Sequence, residues 1–141
     1  SLIKNVQNKT HGFTEVVPLP FVHMGSPIYL RGKSMPGPTW DEIVLIHSLA
    51  RIYFVNSIDN IQASWVKLGH DGAGKLLHAG VNDLGGTLIN ENISRASGAD
   101  HGQETTQDQF IQIIESENKN PVLRNTLYTE FIETKNSLEK R

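Results

Sequence analysis

Hydrophobic and polar positions along this chain fall into alternating strand-like and helix-like blocks. Residues 13–21, FTEVVPLPF, read as a strand that ends where Pro18 and Pro20 remove backbone donors. A loop is expected from there to Pro38. Thr39-Trp40-Asp41-Glu42 then has capping-box spacing, and a helix to about Phe54 should follow. Its apolar positions, Ile43, Ile46, Leu49, Ala50, Tyr53 and Phe54, form one broad stripe. Residues 60–68, NIQASWVKL, read as a second strand, with Ile61, Ala63 and Trp65 on one face and Gln62, Ser64 and Val66 on the other. Asp71 can cap a short helix through Leu76 and Ala79, with Gly80 as its left-handed terminator. Asp83, Gly85 and Thr87 alternate with Leu84, Gly86 and Leu88 in a third strand. Thr106 and Gln109 repeat the capping-box spacing ahead of a helix bearing Phe110, Ile113 and Ile114, closed by Asn120-Pro121. The charged stretch after Tyr128 reads as helical or frayed.

Strands alternating with helices predict an α/β fold with a parallel sheet or partial barrel. A closed (β/α)8 barrel takes about 250 residues, so three strand–helix units in 141 residues amount to the carboxyl-terminal half of one. The organisation expected is a half-barrel over residues 1–128 and a charged tail over 129–141.

Residues 82–103, NDLGGTLINENISRASGADHGQ, carry the densest polar chemistry. The strand's polar face implies a ligand, and Asn90, Glu91, Arg95 and His101 follow within reach of its carboxyl end, where α/β folds build sites. Gln62 and Ser64 point into a lumen if Ile61, Ala63 and Trp65 face helices; the bland alternative for Gln62 is an internal hydrogen bond. His23, after a proline-bearing turn, serves as acid, base or donor, or is simply an exposed loop imidazole. His47 fits a satisfied core histidine better than a ligand, and Trp65 fits core packing better than a stacking platform. Asp83, Glu91 and Arg95 are the charged residues to back, because burial of any one demands a partner. The Gly85-Gly86-Thr87 run lacks both a P-loop lysine and GxGxxG order, leaving close backbone approach or tight packing.

Composition narrows the function classes. With 13 Lys+Arg against 15 Asp+Glu, the formal charge of -2 gives no global attraction to nucleic acid or acidic membranes. No apolar run approaches the roughly 20 residues that span a bilayer. The amino terminus lacks the pattern of a secretory signal, so a cytoplasmic location is expected. There is no HxH or HExxH spacing and no GxSxG elbow, so neither a histidine metal site nor a hydrolytic triad is expected. Zero cysteines exclude a thiolate metal site and a cysteine nucleophile within this sequence.

The ordered blocks EVVPLPFVHMGSPIYLRG, NIQASWVKLG, AGVNDLGGTLINENISRASGADHGQ and RNTLY resemble the radical S-adenosylmethionine (radical SAM) enzymes that make the deazaflavin chromophore of coenzyme F420. The likeness, over about residues 13–128, is to the carboxyl-terminal portion of the family's 4-hydroxybenzyl-transferring part, found as a separate subunit or as half of a fused FO synthase. Related radical enzymes of the futalosine route to menaquinone share the layout of a proline-bearing strand, an arginine-bearing helix, here with Arg51, and an aspartate-glycine-threonine strand.

The resemblance implies a TIM-type radical SAM barrel in which a [4Fe-4S] cluster cleaves S-adenosyl-L-methionine and the resulting radical fragments L-tyrosine. It further implies transfer of the 4-hydroxybenzyl group to 5-amino-6-(D-ribitylamino)uracil, with ring closure by a separate radical SAM partner subunit or domain. Gln62, Ser64, Asp83, Thr87, Asn90, Glu91 and Arg95 would then contact substrates or S-adenosylmethionine, the division of roles being open. The family's CxxxCxxC cluster motif is absent, so the expectation is a piece of a longer enzyme, inactive without the amino-terminal half of the barrel. A futalosine-pathway enzyme and a cluster-less binding module for a ribityl-pyrimidine are the alternatives.

Overall fold

A computed structural model of the chain describes residues 1–87 and 105–134. Helix α1, Leu2–Thr10, was not expected from so polar a stretch; Ser1 Oγ caps it by accepting from the Lys4 amide, and His11 ends it in the left-handed conformation. Gln7 anchors the helix from below. Its side-chain amide donates to the carbonyls of Phe13 and Ser57, and its carbonyl oxygen accepts from the Phe13 amide. The loop before Pro38 contains one further short helix, α2, Pro27–Leu30.

Helix α3, Trp40–Phe54, begins as expected, with the reciprocal capping box between Thr39 and Glu42 fully formed. Its packing differs from the stripe. Ile43, His47, Ala50 and Phe54 are buried, whereas Ile46, Leu49 and Tyr53 are 50%, 49% and 43% exposed. The helix therefore presents a second apolar flank that the described residues leave about half exposed.

The second strand is shorter than its alternation suggests. Ile61 and Gln62 are extended, but helix α4 starts at Trp65 and runs to Leu76, with a break at Gly69, φ 70°. A period-two pattern of six residues fits an extended segment entering a helix as well as it fits a strand. Small residues let α4 approach its neighbours: a Cβ on Gly74 would lie 3.1 Å from Ile113, and one on Gly72 would lie 3.5 Å from Trp40. Gly80 takes φ +92°, and a Cβ there would sit 2.6 Å from that of Arg51, so the terminator position does need glycine. Helix α5, Gln107–Ser116, carries the second complete capping box, from Thr106 and Gln109.

Among the described residues the named strands are β1, Val122–Arg124, and β2, Phe131–Glu133, an antiparallel pair with Leu123 opposite Ile132. Residues 131–133 are thus strand, neither of the helical or frayed states expected beyond Tyr128. The three expected parallel strands are reduced to single bridges, Val16 with Ile61 and Gln62 with Asp83, both parallel. Hydrogen bonds from Val16 to Asn60, Gln62 to Val16, Asn82 to Ile61 and Ala63 to Asp83 lay the three extended segments side by side in chain order. Prolines end the first segment, α4 ends the second, and Gly85, φ +80°, turns the third.

Alternation gives this small layer two unlike faces. Ile61 and Ala63 are fully buried and Leu84 nearly so, in a core shared with Leu76, Val81, Trp65 and Phe54. Glu15, Gln62 and Asp83 point to the other face. Arg51 braces the segments at their amino-terminal ends, where its guanidinium donates to the Gly80 and Asp59 carbonyls and to Asn82 Oδ1, at 2.6, 2.5 and 2.6 Å. The result is a mixed α/β fold, helices on one side of the extended layer and a polar face on the other.

Candidate functional site

The polar face is organised by an ionic cluster. Asp83, with a side chain only 7% exposed, accepts from Arg124 through both oxygens: Nε to Oδ2 at 2.6 Å and Nη2 to Oδ1 at 2.9 Å. Such a bidentate fork is the strong form of the carboxylate–guanidinium pair. The guanidinium also lies 4.1 Å over the Tyr128 ring and 3.8 Å from Glu15 Oε2. Tyr128 donates its hydroxyl to Glu15 Oε2 at 2.7 Å. Burial, reinforced by the bond to Glu15, pushes the Tyr128 phenol up, so it stays a donor across the physiological range. The hydrogen bonds that Arg124 donates to Asp83 likewise raise its pKa above the ordinary value.

Above this cluster the chain turns through Gly85, Gly86 and Thr87. Asp83 Oδ1 accepts from the Gly85 amide at 2.6 Å, and the Trp65 indole donates to the Gly86 carbonyl at 3.1 Å. The Gln62 amide lies where a Gly85 side chain would be, its Nε2 2.6 Å from that Cβ position. A cavity of about 780 Å³ lies between this turn, α5 and the β1–β2 hairpin, lined among others by Asp83, Gly85, Thr87, Phe110, Arg124 and Tyr128. That volume and its mix of apolar walls with a few convergent polar groups are those of a small-molecule site.

Five of the nine residues singled out in sequence fall within the description. Asp83 and Thr87 line the cavity, and Gln62 packs on the Gly85 turn beside it. Ser64 is buried at the head of α4. His23 sits apart in the loop before Pro38: its Nδ1 accepts from the Gly37 amide at 2.8 Å and its ring meets the Tyr29 edge at 4.6 Å. Asn90, Glu91, Arg95 and His101 lie outside the described residues.

Trp65 is buried as expected, packed edge-on to Phe110. His47 is a core histidine, Nδ1 bound to the Ile43 carbonyl and Nε2 buried without a partner, its pKa pulled down by desolvation. Glu15, Arg124 and Tyr128 are new to the site. Arg124 and Tyr128 stand in the RNTLY block, which signalled resemblance but no role. His70 had no visible neighbour in sequence, yet its Nε2 is 2.5 Å from the buried Thr105 hydroxyl.

Among the described residues no cluster of three His, Asp or Glu side chains could hold a metal. With no cysteine anywhere in the sequence, an iron–sulfur cluster does not fit these side chains. No described helix is long and apolar enough to cross a membrane.

Parallel extended segments joined through helices, with a largely apolar cavity carrying a few polar groups at one face, define an α/β protein with a candidate small-molecule site. Residues 10–138 match the CofH/MqnC C-terminal region family, and the chain belongs to it. It is 52% identical over 126 residues to the 5-amino-6-(D-ribitylamino)uracil–L-tyrosine 4-hydroxyphenyl transferase of Methanopyrus kandleri. To the protein of that name in Methanothermobacter thermautotrophicus it is 46% identical over 130 residues, and to FO synthase of Mycobacterium leprae 46% over 127. These matches take in 89%, 92% and 90% of this chain but 34%, 35% and 15% of the respective relatives. The chain therefore spans about a third of either transferase's length.

Proposed function

We propose that these residues form the substrate-facing, carboxyl-terminal part of a radical SAM transferase that joins the 4-hydroxybenzyl part of L-tyrosine to 5-amino-6-(D-ribitylamino)uracil in coenzyme F420 biosynthesis. The observation that carries this reading is the 52% and 46% identity, over nearly the whole chain, to two relatives named for that pair of substrates. The fold is compatible. Three parallel segments in chain order, with helices packed on one side, are compatible with part of a (β/α) barrel.

In this reading the cluster's thiolates and the remaining strands come from an amino-terminal half, and ring closure belongs to a partner subunit or domain. S-adenosylmethionine would supply the radical at that cluster. The part played by these residues is to bind and orient: the Gly85–Thr87 turn and the cavity beside it receive a substrate, and the tail of the polar block, Asn90, Glu91, Arg95 and His101, completes the contacts.

The family description joins CofH with MqnC, which keeps a futalosine-pathway activity as the second reading. The natural full-length polypeptide carrying this sequence, reduced and free of oxygen, separates the two. Matched consumption of tyrosine and the diaminouracil supports the transferase; consumption of a futalosine-derived nucleoside assigns the menaquinone route. Loss of neither substrate by protein with an intact cluster would leave a binding module, which calorimetry with the diaminouracil then tests.

A further inference from the structure

The carboxylate that sequence marks as ligand-facing is already engaged. Asp83 Oδ2 takes Arg124 Nε, while Oδ1 takes both Arg124 Nη2 and the Gly85 amide. Arg124 in turn spends Nη1 on the Asn125 carbonyl and its face on Tyr128. Three of the five guanidinium N–H groups and both carboxylate oxygens are thus engaged within the protein, so the pair's main contribution to a site passes through the backbone it holds.

That backbone is the Gly85–Gly86–Thr87 turn, braced by Asp83 at the Gly85 amide, by Gln62 against the Gly85 α-carbon and by Trp65 at the Gly86 carbonyl. One side is bare: no described atom lies within 4 Å of where a Gly86 Cβ would point, and Thr87 is exposed on the same cavity. A backbone held from behind and open in front is suited to close approach by a ligand. The hairpin that brings Arg124 is itself tied to the first segment through Tyr128 and Glu15. A simple staple for the hairpin could end on Glu15; here the stronger fork reaches past it to the residue that carries the turn.

We propose that Arg124 is a positioning residue of the transferase site, fixing the Gly85–Thr87 turn through Asp83 so that the substrate is held in register for transfer. This rests on the transferase reading given above.

The test uses the natural full-length polypeptide with Arg124→Lys, Arg124→Ala and Tyr128→Phe. Lysine keeps the charge but cannot make the fork, and Tyr128→Phe removes the hydroxyl that bonds Glu15 and adjoins Asp83 while leaving the fork in place. Two readouts are taken on each: amide hydrogen exchange at Gly85 and Gly86, and the ratio of 5'-deoxyadenosine released to adduct formed. In Arg124→Lys the two amides should exchange at least ten-fold faster, the KM for the diaminouracil should rise several-fold, and the ratio should climb at least three-fold as turnovers miss the substrate. Tyr128→Phe should move all three in the same direction by less. Wild-type exchange, KM and ratio in Arg124→Lys would overturn the proposal, as would activity lost only in proportion to folded protein with the ratio unchanged. If Arg124→Ala does not fold, the other two variants decide. A wild-type protein that makes no adduct defeats the transferase reading alone, because exchange at Gly85 still reports whether Arg124 holds the turn.

Discussion

Adding one methyl group to each of two adjacent glycines should have opposite consequences. At Gly85 the backbone has φ +80° and a Cβ would stand 2.6 Å from Gln62 Nε2. An L side chain in the left-handed region costs about 1–2 kcal/mol, and moving the Gln62 amide off its rotamer adds about 1 kcal/mol. Gly85→Ala should therefore destabilise the chain by about 2–3 kcal/mol. At Gly86 neither term arises among the described residues: φ lies outside the left-handed range and the Cβ meets nothing within 4 Å. Gly86→Ala should stay within about 0.5 kcal/mol of wild type, or gain slightly by restricting the unfolded chain. Urea unfolding with an unchanged m-value measures both. Gly85→Ala combined with Gln62→Ala should recover about 1 kcal/mol as coupling energy. Equal losses at the two glycines, or no coupling to Gln62, would refute this account of the turn.

Three further outcomes are expected. Arg51→Ala should cost about 2–4 kcal/mol, because two carbonyls and the Asn82 amide oxygen lose a charged donor together, and Arg51→Lys should recover little in the same unfolding assay. The His47 pKa in the folded chain lies below its ordinary 6.5, so the unfolded state takes up the proton first; stability from this group is complete above about pH 6.5 and is lost as pH falls from there. His47→Gln should flatten that part of the profile between about pH 7 and 5 in unfolding measured at several pH values, and an unchanged slope would count against it. Asp83→Asn should destabilise by about 2–3 kcal/mol by leaving Arg124 half-buried without its partner; a thermal melt matching wild type would contradict the ion pair's role.

What was legible in the sequence was local. Both capping boxes formed as written, since Thr39 with Glu42 and Thr106 with Gln109 need only four consecutive residues. Gly80 was readable for the same reason. The start of α4 was not, because the alternation over IQASWV is too short to separate a strand from the entry to a helix, and the β1–β2 hairpin was hidden by strands of three residues. Ile46 and Leu49 belong to an apolar stripe that is genuine in sequence but stays about half exposed among the described residues, and Tyr53 of the same stripe is met by Lys4 instead of an apolar surface. At the site, Gln62, Asp83 and Thr87 could be picked out from strand alternation. Glu15 and Arg124 could not, for their partners stand 113 and 41 positions away in Tyr128 and Asp83, and no periodicity reports contacts at that range. Recognising RNTLY as a block found the neighbourhood without the chemistry.

The measurement that bears most directly on the central claim is anaerobic release of 5'-deoxyadenosine from S-adenosylmethionine by the 141-residue chain, alone and joined to the remaining portion of a transferase relative. A substrate-binding part with no thiolate of its own should give none alone and should form the tyrosine–diaminouracil adduct once joined. Release by the chain alone, or a joined protein that cleaves S-adenosylmethionine yet never makes the adduct, would contradict the account.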